Sequence, residues 1–174
     1  MTVLILGLIL FLGTHSVRIF ADGWRTRMRE KLGENAWKGL YSVLSIAGFV
    51  AIVYGYGQAR LDATMLWLPP IWTRHLAALL TIPAFILLVA AYFPGNMIKA
   101  KLHHPMVLGV KVWALSHLLA NGMLADLLLF GGFLAWSVAS FTAARRRDNA
   151  AGTVYLRGHV GPTIAVVLVG LAAW

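Results

Sequence analysis

The sequence contains no cysteine. Disulfides, thiolate metal sites, iron–sulfur clusters and a cysteine nucleophile are excluded together. Charge is also scarce: Asp, Glu, Lys and Arg make up 12% of the 174 residues, against 60% hydrophobic. A soluble domain carries about 25% charged residues, so this chain has too few to cover a water-facing surface. Acidic residues are the scarcest, 6 against 15 Lys and Arg. There is no carboxylate pair for acid–base work, no glycine-rich phosphate loop, no HExxH and no nucleophile elbow. Nor does a series of Asp or Glu run through the apolar segments, so a proton pump or cation channel built on carboxylates has no support. The length suits one domain, residues 1–174, with no large part outside a membrane.

What the chain does have is apolar runs. Six can be drawn, at about 2–20, 37–56, 73–93, 105–121, 125–143 and 160–174. A bilayer span needs roughly 20 mostly apolar residues, and backbone facing lipid must satisfy its own hydrogen bonds, so each run is expected to be helical. The expected fold is all-α, a polytopic transmembrane bundle of about six helices, with the lipid bilayer as its surroundings. No charge precedes Arg18 in the first run, which ends in Arg18-Ile19-Phe20 and not in a small-residue cleavage site. It reads as a retained helix, not a signal peptide. Pro83 should kink the third helix. The short Asn121-Gly122 connection predicts an antiparallel hairpin between the fourth and fifth, and the sixth is short for a span. Gly48, Ala51 and Gly55, and the pair Gly131-Gly132, mark faces where helices approach closely. Asp126, at the start of the fifth helix, is placed to cap it.

The formal charge is +9, but the basic residues lie in loops beside apolar runs, so nucleic acid is not an expected partner. Arg18, Arg25, Arg27, Arg29, Lys31 and Lys38 fall in or beside the first connection. Lys99, Lys101 and Lys111 attend the third, and Arg145, Arg146, Arg147 and Arg157 the fifth. The alternate connections carry only Arg60 and Arg74. The positive-inside rule puts the first, third and fifth connections in the cytoplasm and both chain ends outside. For a bacterial inner membrane, outside is the periplasm. The stretch 22–32, DGWRTRMREKL, reads either as a short basic helix on the membrane surface anchored by Trp24 or as a solvated loop.

Six histidines stand out: His15, His75, His103, His104, His117 and His159. His75, His103 and His159 fall at segment edges, where a polar ring is ordinary. His15 and His117 lie inside apolar runs, where an ionisable group costs several kcal/mol unless paired or bound. At 1.5 Å per residue, His15 sits about 10 Å from the cytoplasmic end of its helix and His117 about 18 Å along the fourth helix from that side. The depths differ by roughly 8 Å, within the latitude of helix tilt. His104, near the cytoplasmic edge, competes as a partner for His15. Two imidazoles without thiolate or carboxylate make a poor zinc site. They suffice as axial ligands of a haem iron, whose other four ligands come from the porphyrin. Arg18, one turn beyond His15, is a candidate partner for a haem propionate, with Arg157 and Lys111 behind it. Ordinary snorkelling toward the interface explains Arg18 equally well.

The stretches GTHSVRIFADGWR (13–25) and HHPMVLGVKVWALSHLLANG (103–122), with the span layout, resemble the NnrU family of bacterial membrane proteins over essentially the whole chain. That resemblance implies an association with denitrification, in support of nitrite and nitric oxide reduction. The family in turn resembles 15-cis-ζ-carotene isomerase of plastids and cyanobacteria, a membrane protein containing haem b. The resemblance implies haem b here too, with His15 of THS and His117 of WALSH matching the two iron-ligating histidines. The isomerase has a cysteine three residues before the second histidine, proposed as an alternative ligand in a redox switch. This chain has Ala114 there, so that switch cannot operate.

Three functions follow as expectations. The first is a haem b protein with a redox or haem-dependent role, whose partner is a membrane reductase or electron carrier. The second is a haem-dependent isomerase of a polyene or other lipid-soluble substrate. The third is a cofactor-free accessory protein for assembly of a reductase, whose histidines make only interhelical hydrogen bonds.

Overall fold

The computed structural model describes residues 1–61 and 64–174. Among them the architecture is all-helical, without a β-strand. Eight helices occur: α1 Thr2–Phe20, α2 Asp22–Leu32, α3 Glu34–Ala59, α4 Ile71–Tyr92, α5 Met97–Leu102, α6 Pro105–Ala120, α7 Leu124–Ala151 and α8 Val160–Ala173. Four of them, α1, α3, α4 and α7, are long and apolar enough to cross a membrane. The expected fourth and sixth spans are the shorter apolar helices α6, 16 residues, and α8, 14 residues. At 1.5 Å per residue these reach only about 24 and 21 Å, less than a hydrocarbon core of about 30 Å.

Local chemistry explains where the helices stop. Ala21 leaves helical backbone between α1 and α2, and Gly33, at φ +80°, turns the chain between α2 and α3. Pro105 opens α6 at a position where a missing N–H costs nothing. Helix α7 runs well past its apolar part, because Ala143-Ala144-Arg145-Arg146-Arg147 are good helix formers and no glycine or proline intervenes before Gly152. Asn96 joins α4 to α5. Its side-chain amide donates to the carbonyls of Ala90 (2.9 Å) and Phe93 (2.6 Å), and its Oδ1 accepts the Lys99 N–H at 2.7 Å.

The chain forms two compact units, residues Met1–Trp67 with Met123–Gly132, and residues Leu68–Gly122 with Phe133–Trp174. In the first unit α1 and α3 pack antiparallel through small residues. A Cβ added at Gly48 would lie 2.8 Å from the Phe11 nitrogen, one at Gly7 would lie 2.7 Å from the Ile52 nitrogen, and one at Gly55 would overlap the Leu4 backbone. Gly132 faces Leu12 and Leu8, whereas Gly131 meets only Leu127 of its own helix. Asp126, 1% exposed, accepts the Tyr56 hydroxyl at 2.6 Å and the Met123 N–H at 3.1 Å. It is therefore both a cap for α7 and a tie to α3, and Arg60 Nη1 lies 3.3 Å from the same hydroxyl.

In the second unit α4 packs against α6 and α8. Gly109 meets the Ala84 carbonyl and Leu88, and Gly170 meets Ile86. Trp174 donates its indole N–H to Thr81 at 2.8 Å. Helix α6 runs antiparallel to the later part of α7, as the short Asn121-Gly122 connection predicts. Trp113 meets Phe133, Lys111 lies over Phe141, and His104 reaches Asp148.

Candidate functional site

His15 is carried by α1 and is half-buried. Its Nδ1 lies 2.7 Å from the carbonyl of Phe11, one helical turn back. A carbonyl only accepts, so Nδ1 is the donor in this contact. The ring is stacked on Phe11 at 4.2 Å, Tyr41 of α3 meets it edge-on at 5.3 Å, and Phe49 packs on Phe11 at 6.3 Å. The donor role of Nδ1 and the plane of the ring are thus both set. Arg18 is exposed in the last turn of α1, where a cation complements the helix dipole.

His117 is carried by α6, also half-buried, in a stripe with Trp113 and Asn121 at intervals of four. Trp113 meets the imidazole edge-on at 5.3 Å and packs in turn on Phe133 at 5.6 Å. Asn121 donates its amide to the His117 carbonyl at 2.9 Å, and the same Nδ2 lies 3.5 Å from His117 Nδ1. The long second contact fixes no tautomer; the first closes the helix end. Sequence analysis took Asn121 as a connection and Trp113 only as part of a motif, although the spacing W-x3-H-x3-N places both on one helical face with His117.

His104 has a different setting. Its Nε2 lies 2.7 Å from Asp148 Oδ2, and the same oxygen accepts the Tyr155 hydroxyl at 2.7 Å. His103 stacks face to face on Tyr155, with ring centroids 3.9 Å apart, and receives Arg145 Nη1 on its Nδ1. His103 is also the one non-glycine residue with positive φ (67°) among those described. The His104 N–H returns to the Leu102 carbonyl at 2.8 Å, closing a strained γ-turn. The polar network His103–His104–Arg145–Asp148–Tyr155 was invisible to sequence reasoning, which weighed each histidine separately. Its one signal is the lone acid, Asp148, directly after three arginines. The network holds the Tyr155 proton tightly: burial first, and the bond to Asp148 second, push its hydroxyl up to about 12.

The remaining candidates are dispersed. Lys111 Nζ lies 4.6 Å above the Phe141 ring. Arg157 and His75 are exposed, and exposed His159 donates its backbone N–H to Gly95 at 2.8 Å. Among the described residues, no three His, Asp or Glu side chains gather as a metal cage.

The model of the family described as NnrU protein matches residues 3–174. No curated protein and no solved structure matches the chain.

Proposed function

Because the chain belongs to the NnrU protein family, we propose that it is a haem b-binding membrane protein whose redox or haem-dependent role supports nitrite and nitric oxide reduction. His15 and His117 are assigned as the iron ligands, and Arg18 as a propionate partner. The observation that carries the reading is the His15 bond to the Phe11 carbonyl at 2.7 Å. Ligating histidines are oriented by donating their other ring N–H to a carbonyl or carboxylate, which also raises the basicity of the metal-facing nitrogen. Here that arrangement sits in an apolar helix with aromatic rings around it. Around the second imidazole, Trp113 supplies aromatic packing and Asn121 closes the helix end on the His117 carbonyl. His15 and His117 would hold the haem, which would supply one-electron chemistry.

His104 ranks behind His117, because it precedes α6 outside the apolar run, where Asp148 and Tyr155 tie it into a polar network. The four long apolar helices support a bilayer setting. Family membership favours the bacterial inner membrane, and the basic connections favour both chain ends on its periplasmic side. A membrane reductase or electron carrier is the partner this role requires.

The deciding experiment is an optical spectrum of the detergent-purified protein, oxidised and then dithionite-reduced, with a pyridine haemochrome assay. A Soret band with sharp reduced α and β bands is expected. His15→Ala and His117→Ala should each abolish or strongly alter the spectrum, while His75→Ala leaves it unchanged. A normal six-coordinate spectrum in both ligand variants would sink the assignment. A larger loss in His104→Ala than in His117→Ala would move the second ligand to His104. A folded, haem-supplied protein without a Soret band would instead favour the accessory-protein role.

A further inference from the structure

Helix α2 has no part in the haem proposal, and no residue in it is buried. Its position is set by its neighbours. Helices α1 and α3 are antiparallel, since Leu4 faces Gly55, Gly7 faces Ile52 and Phe11 faces Gly48. The end of α1 at Phe20 and the start of α3 at Glu34 therefore lie at one membrane boundary. Helix α2, set off by Ala21 and Gly33, begins and finishes at that boundary, so it runs along the bilayer edge and not through it.

Its side chains are arranged for that edge. Trp24, Met28 and Leu32 recur every four residues and form one apolar stripe. Trp24 leans edge-on against Trp37 of α3 at 6.0 Å, yet Trp24 and Leu32 each keep 46% of their surface exposed. Around the helix, Arg27 and Lys31 lie roughly 80° to one side of the stripe's midline, and Arg25 and Arg29 roughly 80° to the other. Asp22 and Glu30 fall on the far side, away from the stripe. Arg25 lies 3.6 Å from Asp22, whereas among the described residues no such ion pair involves Arg27 or Lys31. An apolar stripe flanked on both sides by cations one turn apart matches one chemistry: acyl chains beneath and phosphate at the level of the flanks.

We infer that α2 is a seat for anionic phospholipids, its Trp24–Met28–Leu32 stripe resting on acyl chains and its Arg27/Lys31 column binding the phosphate-bearing headgroup. The test is native mass spectrometry of the full-length chain in detergent, titrated with phosphatidylglycerol or with phosphatidylcholine of the same acyl chains. Basic residues beside a phosphate-bearing headgroup favour the anionic lipid, so the wild type should retain phosphatidylglycerol about tenfold better. Arg27→Gln/Lys31→Gln should bring the two lipids within about twofold, and each single variant should lose about threefold. The charge-keeping pair Arg27→Lys/Lys31→Arg should bind as the wild type does. These side chains are exposed, and circular dichroism checks that helix content is kept. Arg146→Gln/Arg157→Gln, exposed basic residues elsewhere, should leave the preference intact. An unchanged preference in the α2 double variant, an equal loss in the control pair, or equal binding of inorganic phosphate in competition would overturn the assignment. None of these outcomes depends on haem, so this inference and the haem proposal fail separately.

Discussion

Asp148 holds two partners on one oxygen, the His104 imidazole and the Tyr155 hydroxyl, each at 2.7 Å. Through them it fastens the segment after α7 to the start of α6. Removing its charge should cost more than removing either partner, because both donors are then left with a weaker acceptor. Asp148→Asn is expected to destabilise the protein by about 1–2 kcal/mol, read as a lower melting temperature in detergent, with Tyr155→Phe costing less. Alkali should act through the same network. The Tyr155 hydroxyl is raised from 10.0 to about 12 in the fold, so the folded state disfavours the phenolate. Its contribution is complete below about pH 10 and is lost as pH rises toward 12. The wild-type melting temperature should therefore fall more steeply between pH 10 and 12 than that of Tyr155→Phe. Parallel curves would remove Tyr155 from the network's energetics. At this scale the sequence exposed His15 and His117 because a polar ring in an apolar run is conspicuous. It hid Tyr155 and Asp148, whose importance lies in contacts 7 and 44 residues away along the chain.

Among the elements, the contact of α1 with α3 depends on missing side chains. Gly48 and Gly55 let the backbones of the two helices approach, and a larger residue at either must push α1 away. Gly55→Leu is expected to cost about 1–3 kcal/mol through overpacking, visible as a lower melting temperature. Gly57→Leu is the control, because a Cβ there meets nothing within 4 Å. The small-residue pattern at 48, 51 and 55 was legible because close helix packing in membranes selects it. Gly7, the partner glycine on α1, was not, since a single glycine carries no period. Helix ends were read less well than helix cores. The apolar run at 125–143 marks only the greasy part of α7, which continues to Ala151. Hydropathy reports the solvent around a helix, whereas the hydrogen-bonded backbone continues until a residue stops it. Helix α5 escaped notice for the converse reason: six residues, MIKAKL, are too few to show a period.

For the whole molecule, charge asymmetry makes the sharpest prediction. Thirteen Lys and Arg lie in or beside the first, third and fifth connections, against two in the alternate ones. Reporter fusions at either terminus should behave as periplasmic: active alkaline phosphatase and dark green fluorescent protein. Opposite sidedness of the two ends would mean an odd number of crossings, with α6 or α8, at 16 and 14 residues, the helix that fails to span.

The division of the chain has a further consequence for its synthesis. The first unit is not continuous: it takes Met1–Trp67 and then Met123–Gly132. Tyr56 leaves the ribosome long before Asp126, which lies 70 residues later and accepts its hydroxyl. During translation α1 and α3 can meet early, but their unit stays unfinished until the first turns of α7 have been made. A chain that stalls before residue 123 would lack the carboxylate that accepts the Tyr56 hydroxyl and would leave that hydroxyl with Arg60 alone.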